Sequence, residues 1–423
     1  MAELEKPIRV LYVCPWAHWA GHPPYVAIRE TQALAKAGAE VFLCTFRGVL
    51  GQKEPPTIPH RTVVSSRIGI PLGALVNLLL SSKINLMKGL SWFLENFSTL
   101  LLAVKLRKTL RYDVIYLRDG DPFIFNPFLL GLVSRHHRWV ISLIGVKALM
   151  PPFSFWYHKL FYKLVNAPMW KPIYRRSLAK NQFIFHCQNK YIKDYFETSF
   201  LDGILAGRVS VVPVGVEQTD NRAPQKEARR FLGLPEDKVV FLHFGSLHSG
   251  KDIETVLAAI RDIPDVLLIH AGAIDVRLFL MTRQTLMDSV QHYGLQNRVI
   301  IKDYFIPEAE KQYYFGAADA TILSYKRDSL QTASLLWEAA KFSSPTIASD
   351  VGELGELVKR HKVGLVFEAE DATSLKHALS HFLSLSQSEK ETMRSNCEKF
   401  CDEFSLEAWA EKCIGIFREL CER

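Results

Sequence analysis

No two of the seven cysteines form a CxxC pair: they stand at positions 14, 44, 187, 397, 401, 413 and 421, which gives neither zinc-ligand spacing nor a disulfide framework. A reducing compartment is the expectation. Long apolar runs are missing too. The stretch between Arg67 and Lys83 holds 15 residues, Pro71 among them, against the ~20 that a membrane-spanning helix needs. The opening residues lack the pattern of a leader, since Glu3, Glu5, Lys6 and Arg9 run directly into a strand-like segment. No spanning helix, no signal peptide and a cytoplasmic location are therefore expected. With 23 Gly and 20 Pro in 423 residues, the chain is neither fibrous nor of low complexity. At 48% apolar and 23% charged it reads as a globular protein with room for two domains of about 200 residues.

Charge is unevenly placed. Residues 1–215 carry 27 Lys+Arg against 12 Asp+Glu, a net of +15, while residues 216–423 hold the remaining 25 and 32, a net of −7. The split implies separate domains, the first facing something anionic: a membrane surface, a phosphorylated substrate or nucleic acid.

From Val239 onward short β-branched runs alternate with amphipathic segments. The runs are VVFLHFG (239–245), VLLIHAG (266–272), VIIKDYF (299–305), ATILSY (320–325), PTIASD (345–350) and GLVFE (364–368). Helix-like segments lie at 252–260, 307–318, 334–342 and 372–383, with Pro307 at a start that tolerates a missing N–H and Glu308 and Glu310 in its first turn. Strands of this length, regularly separated by helices, predict a parallel sheet covered on both faces, a Rossmann-like doubly wound domain. The first half opens as a β–loop–α–β unit: IRVLYVCP (8–15), a Gly-containing loop, the amphipathic segment 25–38 closed by Gly38, and AEVFLCTF (39–46). A hydrophobic helical region (about 72–110), strands at 113–119 and 139–145, an aromatic and basic region (153–176), a strand at 181–188 and VSVVPVGVE (209–217) follow. The expected division is an N-terminal domain over 1–215, a second over 216–404 and an amphipathic helix in 405–423.

Four segments, VVPVGVE, FGSLHSGKDIETVLAAI, the block from AADATILSYKRD through LLWEAAKFSSPTIASDVGELGELV, and GLVFEAEDATSLKHAL, in this order and spacing, resemble the nucleotide-sugar glycosyltransferases of GT-B architecture, in particular the large retaining family 4. The resemblance covers nearly the whole chain. It implies an α/β fold of two Rossmann-like doubly wound domains facing a central cleft, the donor bound by the second, the acceptor by the first, and the last helix crossing back to the first.

Several residues are candidates for donor chemistry. The loop after the strand ending at Gly245 and Ser246 leads to a helix near Asp252, which would turn backbone N–H groups and a positive dipole end toward the strands' C-terminal edge. Lys251 stands at that junction, in the family's position for a lysine that neutralises the diphosphate; a solvated lysine at a helix start is the plain alternative, in a place where the dipole disfavours a cation. Glu338, set in the otherwise apolar SLLWEAAKF, matches the family carboxylate that accepts hydrogen bonds from ribose hydroxyls; an exposed helical Glu is the alternative.

The sequence also departs from the family. A second acidic residue, expected eight positions before Glu338, is Leu330, and alignment from the preceding strand puts Asp328 there instead, as a sugar contact or a turn-initiating Asp. The family's diphosphate-binding Arg is Ser246, its first-loop Gly pair is Gly21-His22, and Ile144 replaces a common His. His18, His22 and His248 are candidate compensating cations. Asp119 and Arg118, at the end of DVIYLRD, point to the same edge or form an ion pair that closes the strand.

The resemblance implies transfer of a sugar from a nucleoside diphosphate to a hydroxyl acceptor with retention of configuration, hexosyltransferase-like, in cell-surface glycan or glycolipid synthesis. No divalent-metal carboxylate cluster is visible, so no metal and no cofactor beyond the donor is expected, and charge on the leaving group falls to Lys251 and backbone N–H groups. Lys159, Lys163, Lys171, Arg175 and Arg176 among the aromatics of 153–176 suggest a lipid-linked acceptor and peripheral attachment to an anionic inner membrane face; a core helix with a solvated rim fits as well. A non-catalytic GT-B protein binding a nucleotide or glycan is the alternative function. No nucleic-acid motif accompanies the basic half, so no nucleic-acid partner is expected.

Overall fold

The computed structural model describes residues 6–15, 22–45, 62–64, 97–106, 109–118, 138–143, 171–179, 183–200, 202–247, 250–274, 282–327 and 334–423. The chain divides into two compact units, Met1–Gly215 with Leu406–Arg423, and Val216–Ser405. Ser405 stays with the second unit, one residue beyond the expected break, because its backbone bridges Val216.

The first unit is built on a seven-stranded sheet of β1 (Arg9–Val13), β2 (Glu40–Thr45), β3 (Thr62–Val64), β4 (Val114–Leu117), β5 (Trp139–Leu143), β6 (Phe183–Cys187) and β7 (Val209–Val211), in the order β3-β2-β1-β4-β5-β6-β7. Every pairing is parallel. A parallel sheet needs cover on both faces, and the strands accordingly alternate between two cores. Leu11, Val13, Ile115 and Ile141 point into one. Val10, Tyr12, Val114 and Val140 point into the other. That second core is closed by the helix His22–Lys36 and by the last helix, Leu406–Glu422. Leu406, Trp409, Ala410, Cys413, Phe417 and Leu420 recur at three- and four-residue intervals and form its buried stripe. Each large apolar side chain buried this way contributes about 1.5–3 kcal/mol, so this helix is an integral wall of the first unit.

The second unit has a six-stranded parallel sheet of β8 (Val239–Phe244), β9 (Val266–Ala271), β10 (Val299–Lys302), β11 (Ala320–Leu323), β12 (Thr346–Ser349) and β13 (Gly364–Phe367), ordered β10-β9-β8-β11-β12-β13. The order reverses between β8 and β11, the switch point at which doubly wound sheets open a crevice at their C-terminal edge. The six runs of the sequence are these six strands. The run at 299–305 is shorter than expected, ending at Lys302, since Asp303 turns its carboxylate to the Ile274 N–H and ends the ladder. β3 had no sequence signal, being three residues long.

Among the described residues no helix is long and apolar enough to cross a membrane. All seven cysteines are free thiols.

Candidate donor-binding site

At the switch point β8 is followed by Gly245, whose φ of +83° is left-handed and favours glycine. The Gly245 and Leu247 N–H groups donate to Ala271 and Ala273 carbonyls at 2.8 and 3.0 Å, so this strand end is tied to the loop after β9. That approach is close: a Cβ on Gly272 would sit 2.4 Å from the carbonyl carbon and oxygen of Gly245. The intervening Ser246 is exposed, and among the described residues nothing accepts its N–H.

Lys251 is only 5% exposed, which removes the solvated-surface alternative. Its ammonium donates to the Phe244 carbonyl at 2.5 Å and lies 3.2 Å from where a Gly245 Cβ would be, directly under the loop. The turn that carries it is pinned to the segment just after β11: Asp252 N–H donates to Ser324 O at 3.0 Å and Lys326 N–H to Gly250 O at 3.1 Å. The following helix, Ile253–Arg261, does not offer an open N-terminus. Asp252 caps it, accepting from Thr255 N–H at 3.2 Å and Thr255 Oγ at 2.5 Å. The helix end expected to face a diphosphate thus carries a carboxylate cap at its positive pole. Leu335, in the first turn of the helix Ser334–Lys341, lies 3.4 Å from the Gly245 Cβ position.

Glu338 is one turn further along that helix and is not a solvated residue. Its side chain is 18% exposed, and Oε1 accepts from Lys311 Nζ at 3.1 Å. Lys311, on the helix Glu308–Ala317, also reaches Glu308 Oε2 at 2.6 Å, and Glu308 Oε1 accepts from Lys341 at 2.8 Å. Burial opposes ionisation of Glu308, yet bonds from Lys311 and Lys341 outweigh it and hold its carboxyl down at about 2. Glu308 was expected in a first turn, where it suits the dipole; its link through Lys311 at i+3 to Glu338 runs between helices and has no signal in the sequence.

Beneath the loop lies a second pair that sequence reading missed. His243 and His270 are register partners on β8 and β9, with Nδ1 atoms 3.0 Å apart. The signal was present, since each stands two residues before the glycine that ends its run, HFG and HAG. His270 Nε2 is 3.1 Å from the Gly272 carbonyl, which only accepts. Nε2 therefore carries a hydrogen, and in neutral His270 the Nδ1 accepts from His243 Nδ1–H. Burial, assisted by the charge on Lys251, lowers the His270 pKa to about 4 and keeps the ring neutral at physiological pH. The pair braces Gly272 from below.

In the first unit Arg118 takes the ion-pair role, with an unforeseen partner. Its Nε is 3.1 Å from Glu30 Oε2 of the helix His22–Lys36, and Tyr12 donates to the same oxygen at 2.6 Å. Arg118 Nη1 lies 3.4 Å from Ser142 Oγ, and Tyr116 meets His186 Nε2 at 2.8 Å. Burial, then the charge of Arg118, lowers His186 to about 3. His22 begins the helix rather than lying in the loop before it. Asp119, Gly21, His18, Ile144, His248, Asp328 and Leu330 lie outside the described residues, as do the side chain of His22 and most of 153–176.

Residues 224–400 match the family described as glycosyl transferases group 1. A D-inositol 3-phosphate glycosyltransferase of Thermobispora bispora is 25% identical over 224 residues, 51% of each chain, so the match spans about half the length of that relative. Among solved structures, a sucrose-phosphate synthase from Thermosynechococcus elongatus superposes with a TM-score of 0.70 at 20% identity, covering 98% of this chain and 99% of that one. The Anabaena protein HepE in complex with UDP and glucose does so with a TM-score of 0.64 at 15% identity, covering 97% and 100%. The chain thus resembles the family 4-like GT-B glycosyltransferases, with the GT-B fold along its length and a group 1 glycosyl transferase match over residues 224–400.

Proposed function

We propose that this protein is a glycosyltransferase that moves a sugar from a nucleoside diphosphate to a hydroxyl acceptor with retention of configuration. The observation that carries the reading is the buried Lys251 ammonium under the Gly245 loop, at the switch point of the second sheet. A preorganised cation there stabilises charge as it develops on a departing diphosphate. The similar Anabaena structure holding UDP and glucose supports a nucleotide-sugar donor.

In the proposed step the bond from the anomeric carbon to the diphosphate oxygen breaks and its electron pair stays on the diphosphate, facing Lys251 and the Ser246 N–H. The acceptor oxygen bonds the anomeric carbon on the face the diphosphate leaves, and its proton passes to a diphosphate oxygen. Glu338 accepts from the ribose hydroxyls and Asp328 from the transferred sugar. Neither a metal nor a further cofactor enters this reading. Asp119, Gly21 and His22, with the rest of the first unit, serve the acceptor and the distal part of the donor.

The test is release of nucleoside diphosphate from a panel of nucleotide sugars. Turnover above background supports catalysis; binding of nucleoside diphosphates without any turnover favours a non-catalytic nucleotide-binding GT-B protein, for which Ser246 in place of the family Arg is the motivating departure. In the same assay Asp328→Ala is expected to lower turnover about tenfold or more, the value of one charge-assisted hydrogen bond, while affinity for the bare nucleoside diphosphate is unchanged. Equal turnover of variant and wild type would refute the sugar contact.

The +15 of residues 1–215 supports a lipid-linked acceptor and attachment to anionic lipid, with about 1 kcal/mol from each Lys or Arg that reaches the surface. Screening weakens such attraction, so flotation with anionic vesicles should occur at low salt and fade at high salt. Failure to float at low salt would point instead to a phosphorylated soluble acceptor.

A further inference from the structure

Lys311 carries more structure than a surface ion pair needs. It is 7% exposed, and its ammonium is held from two sides, by Glu308 on its own helix at 2.6 Å and by Glu338 on the next at 3.1 Å. Glu308 is anchored in turn by Lys341, itself 6% exposed. Charges alternate along Glu338, Lys311, Glu308 and Lys341, so the row is electrically balanced although it is largely out of water. A buried charge is tolerated only when paired and hydrogen-bonded, which fixes the geometry of every member. The row has one open end. Glu338 spends Oε1 on Lys311, and among the described residues Oε2 has no partner.

Resting on the donor reading above, we propose that Lys311 is a positioning residue for nucleoside recognition: by holding Oε1 of Glu338 it presents Oε2 to the ribose hydroxyls of the donor. A carboxylate on a two-methylene arm samples several rotamers when free. Bound to a cation that is itself fixed at i−3, it loses that freedom before the ligand arrives, and the ligand does not have to offset it. Lys311 stays charged in its buried position because the two carboxylates outweigh the effect of burial, which alone would lower its pKa.

The test compares UDP with 2′,3′-dideoxy-UDP by calorimetry on the full chain, with the matching GDP and ADP pairs as further probes. Wild type is expected to prefer the ribose form at least about tenfold. Lys311→Met should shrink that preference to under about threefold while leaving affinity for the dideoxy form unchanged, and Lys311→Arg should restore it. General loosening of the domain would weaken both ligands alike and overturn the proposal. So would a ribose preference in Lys311→Met equal to that of wild type. Because Lys311→Met leaves two carboxylates facing each other, Lys311→Met/Glu308→Gln, which removes one charge of each sign, supplies a folded comparison by thermal melting. It too must lose the preference. A wild type that binds no nucleoside diphosphate, or does not distinguish the two sugars, would overturn the donor reading itself, and that failure is visible before any variant is made.

Discussion

Lys251→Met is expected to weaken nucleoside-diphosphate binding by at least about tenfold and to lower turnover by a factor on the order of 10²–10³. The first figure is the loss of one charge-assisted hydrogen bond, roughly 1.5–3 kcal/mol. The second adds the larger value of a fixed donor where charge develops only in the transition state. Methionine nearly conserves the volume of the side chain, which is 5% exposed, so packing is kept while the ammonium goes. Titration calorimetry and steady-state kinetics on the folded variant check both figures. Wild-type kinetics in the variant would remove Lys251 from the site.

Gly272→Ala should have the largest effect on stability. The added methyl would lie 2.4 Å from the Gly245 carbonyl carbon and oxygen and 2.9 Å from its Cα, and all three are backbone atoms that no rotamer change can clear. Relief requires the β8 and β9 strand ends to part, against the 2.8 Å bond from Gly245 N–H to Ala271 O and the 3.0 Å bond from Leu247 N–H to Ala273 O. Overpacking of this kind costs about 3 kcal/mol or more, which in a domain of this size lowers Tm by roughly 10 °C. Nucleotide affinity should fall with it, since Gly245 covers Lys251. Gly415→Ala is the control: a Cβ there meets nothing within 4 Å, inside the helix Leu406–Glu422. Relative to Gly, Ala in a helix gains about 0.5–1 kcal/mol, so melting should move the other way. Equal melting temperatures for the two variants would contradict the close approach of the two loops.

Most of the second unit was legible from its residues. Its strands are short, β-branched and spaced by helices, and that spacing requires a parallel sheet whatever the details. The place of Gly245 and Lys251 at the strands' C-terminal edge followed from the order of those segments, whereas the switch point between β8 and β11 came only with the sheet order. Hidden from the sequence was whatever depends on partners brought together by folding. Asp252 was read as part of a helix start open to a ligand, while the structure uses it as the cap. Glu338 was read as a ribose-binding carboxylate with an exposed helical Glu as the alternative, and only the neighbouring helix reveals Lys311. His243 and His270 stand in parallel positions of two runs, HFG and HAG, but the bond between them needs the register of β8 on β9. In the first unit an ion pair was one of two readings for Arg118 with Asp119, and the partner the structure gives Arg118, Glu30, lies 88 positions earlier, on a helix that only tertiary packing sets beside β4.

A crystal structure of the protein with UDP, or with GDP or ADP if one of these binds better, tests most directly whether the donor's diphosphate lies at Lys251 and its ribose at Glu338. The prediction is a diphosphate oxygen within hydrogen-bond distance of Lys251 Nζ and of the Ser246 N–H, with a ribose hydroxyl donating to Glu338 Oε2 while Lys311 keeps Oε1. A nucleotide bound elsewhere on the second unit, or one whose diphosphate does not reach Lys251, would contradict it.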